Sequence, residues 1–397
     1  MRSAESSRAG PGRGARAAGR WQPAAVIAAA VAVATVAAGC QWSLARHKAE
    51  PPKAEPPPVA PAALQAAGLE RLWNTELALL PGTRVTDLWL IGPHLVARDS
   101  GNTLHLVDAA NGIKRWSRQV AEAGLTVERP ALQGDMLWVP TTAALLGVET
   151  ATSRVLHKEP LSFMPSGGCV TNGRFVYIPD GKGWLQAVAV ARDAVSWGRW
   201  TPARMTSRPA LDQDVVIFAG HSGEIIATLQ SYRRTVWEYR AEGPVEADLT
   251  VLKQPQGNIV LVPSADYSVY AFRARTGRLE WRFDAGEPVL KPAWPSGGQV
   301  FVSTQTMGLR ALDATTGQPQ WRFADGGDFV AGTPAGVFVL GPEGRLVLLK
   351  RSDGGVETVL ALLAGSLPAR NEADSGVLYL ATPAGYLLAA KQAGPAG

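Results

Sequence analysis

The chain has 397 residues, 46% of them hydrophobic and 18% charged, with 42 glycines, 29 prolines and 13 tryptophans. That is ample for a large core, and glycine, proline and tryptophan at this density suit many short strands joined by tight turns. The net charge of +5 does not mark a nucleic-acid-binding body: residues 1–50, with seven basic and two acidic side chains, carry all of it, and the remainder, with no net charge, has no overall basic footprint.

In chain order, residues 1–20 are rich in Arg and Gly, and residues 24–39 form an uncharged run of mostly Ala and Val. Sixteen residues fall short of the ~20 a membrane span needs, but suit the core of a signal peptide behind a basic leader. The run closes with Val36-Ala37-Ala38-Gly39-Cys40. Small residues ahead of a cysteine resemble a bacterial lipobox, which implies that Cys40 is lipidated; Ala37 stands where that pattern usually has Leu. The other reading of residues 1–40 is an uncleaved signal anchor with Cys40 incidental. Either tethers the body to a membrane of the cell envelope, facing the periplasm. Gln41 follows the cysteine where Asp would retain an enteric lipoprotein, and so points to the outer membrane. Residues 41–68 are rich in Pro and Ala, with Pro51, Pro52, Pro56, Pro57, Pro58 and Pro61, and predict an extended spacer without a core.

Residues 69–397 are a repeat. Leu104-x-Leu106-Val107-Asp108 recurs at positions starting with 145, 185, 225, 269, 309, 346 and 387, at intervals of 37 to 44 residues. A turn follows the strand at Asn111-Gly112, Thr276-Gly277, Thr316-Gly317 and Asp353-Gly354, and the next strand carries Trp116, Trp197, Trp237, Trp281 or Trp321. A β-rich stretch such as Val215–Phe218 precedes each copy, and before it a short strand often opens with Pro-Ala, as at Pro130, Pro209, Pro292, Pro334 and Pro368. Four short strands per forty residues predict a propeller blade. The chain enters on an orphan tryptophan strand around Trp73 and leaves on a strand, 386–391, with no tryptophan partner. Pairing these two closes a ring of eight blades and removes both open edges. Fold class is therefore all-β, an eight-bladed propeller of four antiparallel strands per blade. The tryptophans at 73, 116, 197, 237, 281 and 321 are expected to be structural, each burying about 150–250 Å². His157 and Thr358 stand at tryptophan positions and predict weaker packing there.

The residues offer little chemistry. Five scattered histidines lack metal-ligand spacing. Gly220-His221-Ser222-Gly223 is not a nucleophile elbow, since Glu224 stands two after Ser222. It reads as a turn, as does Asp180-Gly181-Lys182-Gly183. Asp108, Asp266 and Asp313 read as strand-end or turn residues, and Cys169 as a small buried apolar residue.

Leu309-x-Ala311-Leu312-Asp313, then Thr316-Gly317 and Trp321, resembles the PQQ-like repeat, and the resemblance covers about residues 69–391. WD and kelch repeats fit worse: no Trp-Asp pair ends the third strand, and the Gly-Gly pairs keep no blade position. Together with the lipobox and proline spacer, the chain looks similar to the BamB family of outer-membrane assembly lipoproteins. That resemblance implies a non-enzymatic, monomeric envelope scaffold for partner proteins such as the β-barrel assembly machinery, with no cofactor, metal or nucleic acid. The alternatives are a PQQ-dependent dehydrogenase-like quinoprotein, or a small-molecule or polysaccharide binder using the central channel. The quinoprotein family needs a vicinal cysteine pair, calcium ligands and a catalytic Asp. Here Cys40 and Cys169 stand far apart in sequence, and no motif matches the calcium ligands.

Overall fold

A computed structural model describes residues 56–191, 194–229, 234–371 and 373–392. Its strands form eight antiparallel sheets of four. Seven are continuous in sequence and are numbered here as blades 1 to 7: 85–119, 131–160, 170–200, 210–240, 250–284, 294–323 and 328–361. Blade 8 takes Leu367–Pro368, Val377–Ala381 and Tyr386–Gln392, and adds Leu69–Glu76 as its outer strand. The two ends of the chain run antiparallel, from Leu69 opposite Gln392 to Glu76 opposite Tyr386. The molecule is an eight-bladed β-propeller closed by its N-terminal strand.

The burial pattern follows from stacking sheets face to face. Second strands such as Val215–Ala219 and Ile259–Pro263 are buried along their whole length, because neighbouring blades cover both of their faces. Outer strands alternate: in Leu279–Asp284 the side chains of Trp281 and Phe283 are buried while Leu279, Arg282 and Asp284 face solvent. The buried side chains gather in eight clusters, one at each seam between blades. One runs from Ile217 and Trp237 of blade 4 to Tyr270 and Phe272 of blade 5. The core is a ring of seams with a channel at its axis.

Two expectations are corrected. The end of the proline-rich spacer is not a bare extended segment: Pro61–Ala66 is a short helix, and Val59 and Leu64 are buried at the seam of blades 7 and 8 with Leu348, Leu360 and Tyr386. Apolar residues spaced among the prolines make this possible, and the Leu363 N–H donates to the Pro58 carbonyl at 2.8 Å. Pro334-Ala335 does not open an inner strand; it lies in the turn between Asp328–Gly332 and Gly336–Leu340. In blade 8 the inner strand is only Leu367–Pro368, so its Pro-Ala pair straddles the strand end.

Candidate docking rim and central channel

The six tryptophans singled out from the repeat are all buried. In the third–outer strand pair, five of them face an alanine: Trp73 opposite Ala389, Trp197 opposite Ala187, Trp237 opposite Ala227, Trp281 opposite Ala271 and Trp321 opposite Ala311. A register shift sits beside this position in every blade. Such a bulge bends the outer strand and aims one side chain, here toward the next blade. The indole N–H then donates to a backbone carbonyl of that blade: Trp73 to Ala109 at 3.0 Å, Trp116 to Thr150 at 2.9 Å, Trp237 to Ala274 at 2.9 Å, Trp281 to Ala314 at 3.2 Å and Trp321 to Arg351 at 2.8 Å. Trp197 is buried with no such partner among the described residues. The indole also lies flat on the neighbouring hairpin. A Cβ at Gly317 would stand 2.6 Å from the Trp281 ring. Glycine is required there twice over, for its φ of +71° and for the space the indole occupies. Cys40 lies outside the described residues.

The residues weighed for chemistry are engaged locally. Asp313 accepts from the Thr315 and Thr316 N–H groups, Asp180 from Lys182 and Trp184, Asp266 from Ser268 and Asp108 from Ala110, all turn contacts. His221 sits between Thr206, at 3.0 Å, and Glu246, at 3.3 Å, and Ser222 bonds to Glu224. Cys169 is fully buried, and burial pushes its thiol up to about 12, far from a reactive thiolate. Among the described residues no three His, Cys, Asp or Glu side chains converge as a metal site requires.

Two features were not singled out from the sequence. The first is an aromatic pair on one rim of blade 3. Trp184 opens the third strand directly opposite Trp200, the last residue of the outer strand, and its ring lies over Gly198. Trp184 is 40% exposed and Trp200 51%, and Met164, 60% exposed, is tied to the turn ahead of Trp184, its carbonyl accepting from the Gly181 N–H. The sequence did hold a signal. Trp200 follows the inward-facing Trp197 by an odd number of residues, so strand alternation sends it to the opposite face.

The second is the channel, a cavity of about 420 Å³ bounded by the inner strands of blades 1 to 6. The inner strand of blade 7 is instead covered by blade 8: the Asn371 N–H donates to the Val330 carbonyl at 2.8 Å and Gly376 to Gly332 at 2.9 Å. One mouth is lined by three acids, Asp87, Glu128 and Asp248, and three bases, Arg98, Arg129 and Arg370. Burial raises the pKa of Glu128 above its ordinary value, against the pull of the Gly168 N–H and Arg98.

Comparison with known proteins places this geometry. The family model for outer membrane protein assembly factor BamB matches residues 62–239 and 234–372, most of the chain.

The chain belongs to the BamB family.

Among solved structures, BamB from Moraxella catarrhalis superposes with a TM-score of 0.63 at 16% identity, over 81% of this chain and 99% of that one. The computationally designed Ika8 protein gives 0.64 at 12%, over 81% and 99%. Quinohemoprotein alcohol dehydrogenase from Comamonas testosteroni gives 0.60 at 12%, over 84% and 78%. At these identities the superpositions concern the fold alone. No curated protein matches the sequence. In this BamB-family propeller the buried Cys169 is the only cysteine of residues 41–397, so the vicinal pair of the quinoproteins has no counterpart in that stretch. Among the described residues no helix is long and apolar enough to cross a membrane.

Proposed function

We propose that the chain is a non-enzymatic scaffold of the cell envelope, tethered through a lipid on Cys40, that holds partner proteins during assembly of outer-membrane proteins. The tether lies at residues 1–40, the spacer at 41–68 and the scaffold at 69–397, the last of the spacer folding back onto blades 7 and 8. The observation that carries the reading is the family match over most of the chain. The exposed Trp184–Trp200 pair supplies a surface suited to the task, since tryptophans dominate the energetics of protein interfaces while a solitary propeller gains nothing from exposing them. The acids and hydroxyls weighed for catalysis are spent on turns, which supports a binding rather than a catalytic role.

The test is affinity purification of the tagged full chain from cell envelopes in mild detergent, read by mass spectrometry. Proteins of outer-membrane assembly should accompany the wild type. They should be depleted in W184A/W200A, each indole contributing about 2 kcal/mol of affinity, and weakened in C40A. Recovery of the propeller alone from the wild type would reject the scaffold role. Unchanged recovery with W184A/W200A would move docking away from this rim.

A further inference from the structure

The channel carries a charge imbalance that the rim does not share. Its mouth is balanced and includes Arg129 and Asp248; the cavity beyond adds the cations Arg208 and Lys253 and, among its lining residues, no further carboxylate. Asp248 is already engaged: one oxygen accepts the Arg208 backbone N–H at 2.9 Å and the other stands 4.0 Å from the Arg129 guanidinium. Arg208 is half-buried, and its Nε donates to the carbonyl of the buried Cys169 at 3.0 Å. That bond orients the guanidinium without neutralising it, and among the described residues no carboxylate lies within ion-pair distance of the Arg208 side chain. Elsewhere around the axis opposite charges are matched, as in Lys291 with Asp328 at 2.7 Å and Arg370 with the same carboxylate at 3.7 Å. A half-buried, pre-oriented guanidinium facing no anion is costly in the empty fold and valuable to an anionic ligand. The remaining lining residues are mostly of apolar type, including Leu132, Leu211 and Val251, with Trp294 almost wholly buried behind them. Small-molecule sites combine such walls with a few placed polar groups.

We propose that the central channel binds a small organic anion with an apolar body. Arg208 is its principal anchor, Lys253 adds charge, and Leu132, Leu211 and Val251 take the apolar part. A carboxylate and a phosphate monoester both satisfy this chemistry. The site lies on the axis, apart from the Trp184–Trp200 rim, and stands or falls separately from the docking reading.

Ligand-observed NMR titration of the full chain with benzoate, phenyl phosphate and the neutral benzamide tests it. Saturable binding is expected for at least one anion and not for benzamide, and the tighter of the two identifies the ligand head group. R208Q should weaken that anion by about tenfold or more, the worth of a charge-assisted hydrogen bond. D248N, which removes the one opposing charge, should tighten it, and W184A/W200A should leave it unchanged. Arg208 also braces the Cys169 carbonyl, so K253Q at the exposed end provides a second test, with a loss of about threefold from a solvent-screened charge. Absence of saturation by both anions, equal binding of benzamide, or affinities unmoved by K253Q and D248N would overturn the proposal.

Discussion

At the scale of single residues, the unit of this fold is a tryptophan in one blade and a glycine in the next. Trp73 rests on Gly112, Trp237 on Gly277, Trp281 on Gly317 and Trp321 on Gly354. Trp281→Ala should lower stability by about 3–5 kcal/mol, the cost of emptying a packed aromatic site. Gly317→Ala should cost roughly 2 kcal/mol, because a methyl group must displace the indole while the backbone keeps a positive φ. Thermal melts check both; an unchanged melting temperature for either would separate the indole from the seam. The repeat made the glycine legible as a turn residue. Its second role, as the seat of another blade's indole, depends on a contact 36 residues away and had no local signature. Where the aromatic is missing, the neighbours compensate. His157 faces Gly147 and its ring lies 5.2 Å from that of Trp138, so a tryptophan from the second strand fills part of the space.

His105 adds a pH dependence. It is buried between Ser117 and Asp99, and burial holds its pKa below the ordinary 6.5 even with Asp99 pulling the other way. The unfolded chain therefore takes up a proton near pH 6.5 that the folded protein resists. Stability is whole above about pH 6.5 and falls as pH drops below it. His94 and His221, also lowered chiefly by burial, act in the same direction. The drop in melting temperature between about pH 7 and pH 5 should be smaller in His105→Gln than in the wild type.

At the scale of elements, the exceptional seam is that of blades 7 and 8. Every other seam receives a continuous hairpin from the following blade, but in blade 8 the third and outer strands are the two ends of the chain, so no turn joins them. A tryptophan at position 358 would have no glycine turn to rest on. Thr358 stands there instead, opposite Leu348 rather than an alanine, and Val59 and Leu64 of the N-terminal segment complete the cluster. The swap of a large outer and small inner residue for the reverse keeps the packed volume. Leu64→Ala should therefore destabilise by about 2 kcal/mol although it lies outside the repeat. Equal melting of Leu64→Ala and wild type would show the helix to be ornamental. Composition alone concealed this segment, since prolines dominate it and Val59 and Leu64, with Ala63 and Ala67 against them, do the packing.

At the scale of the molecule, eight seams, one of them built differently, make a closed ring in which each blade has two neighbours. Removing residues 386–397 would take away the third strand of blade 8 and unpair Leu69–Glu76, exposing two sheet edges at once. The truncated chain should lose its cooperative melt and associate on size-exclusion chromatography; a monomer with the wild-type melt would mean that closure contributes little. The ring also creates what no single blade has. Arg129, Arg208 and Asp248 come from blades 2, 4 and 5 and meet only at the axis.

The sequence by itself determined the blade count, the strand order and the closure of the ring, because each is written locally: strand alternation, turn residues and a period of about forty repeat in every copy. It indicated as well that Cys169 is a small buried residue and that Asp108, Asp266 and Asp313 sit at strand ends and turns, where the structure places them. Only the tertiary structure decided which charges face the channel, that among the described residues Arg208 has no carboxylate at ion-pair distance, that the spacer's end packs on blades 7 and 8, and that Trp184 and Trp200 stand opposite each other on one exposed rim. The physical reason is common to all of these. Periodicity specifies how a side chain points relative to its own strand, whereas a site is made by side chains from separate strands or blades, and their meeting depends on the twist, bulges and closure of the whole ring.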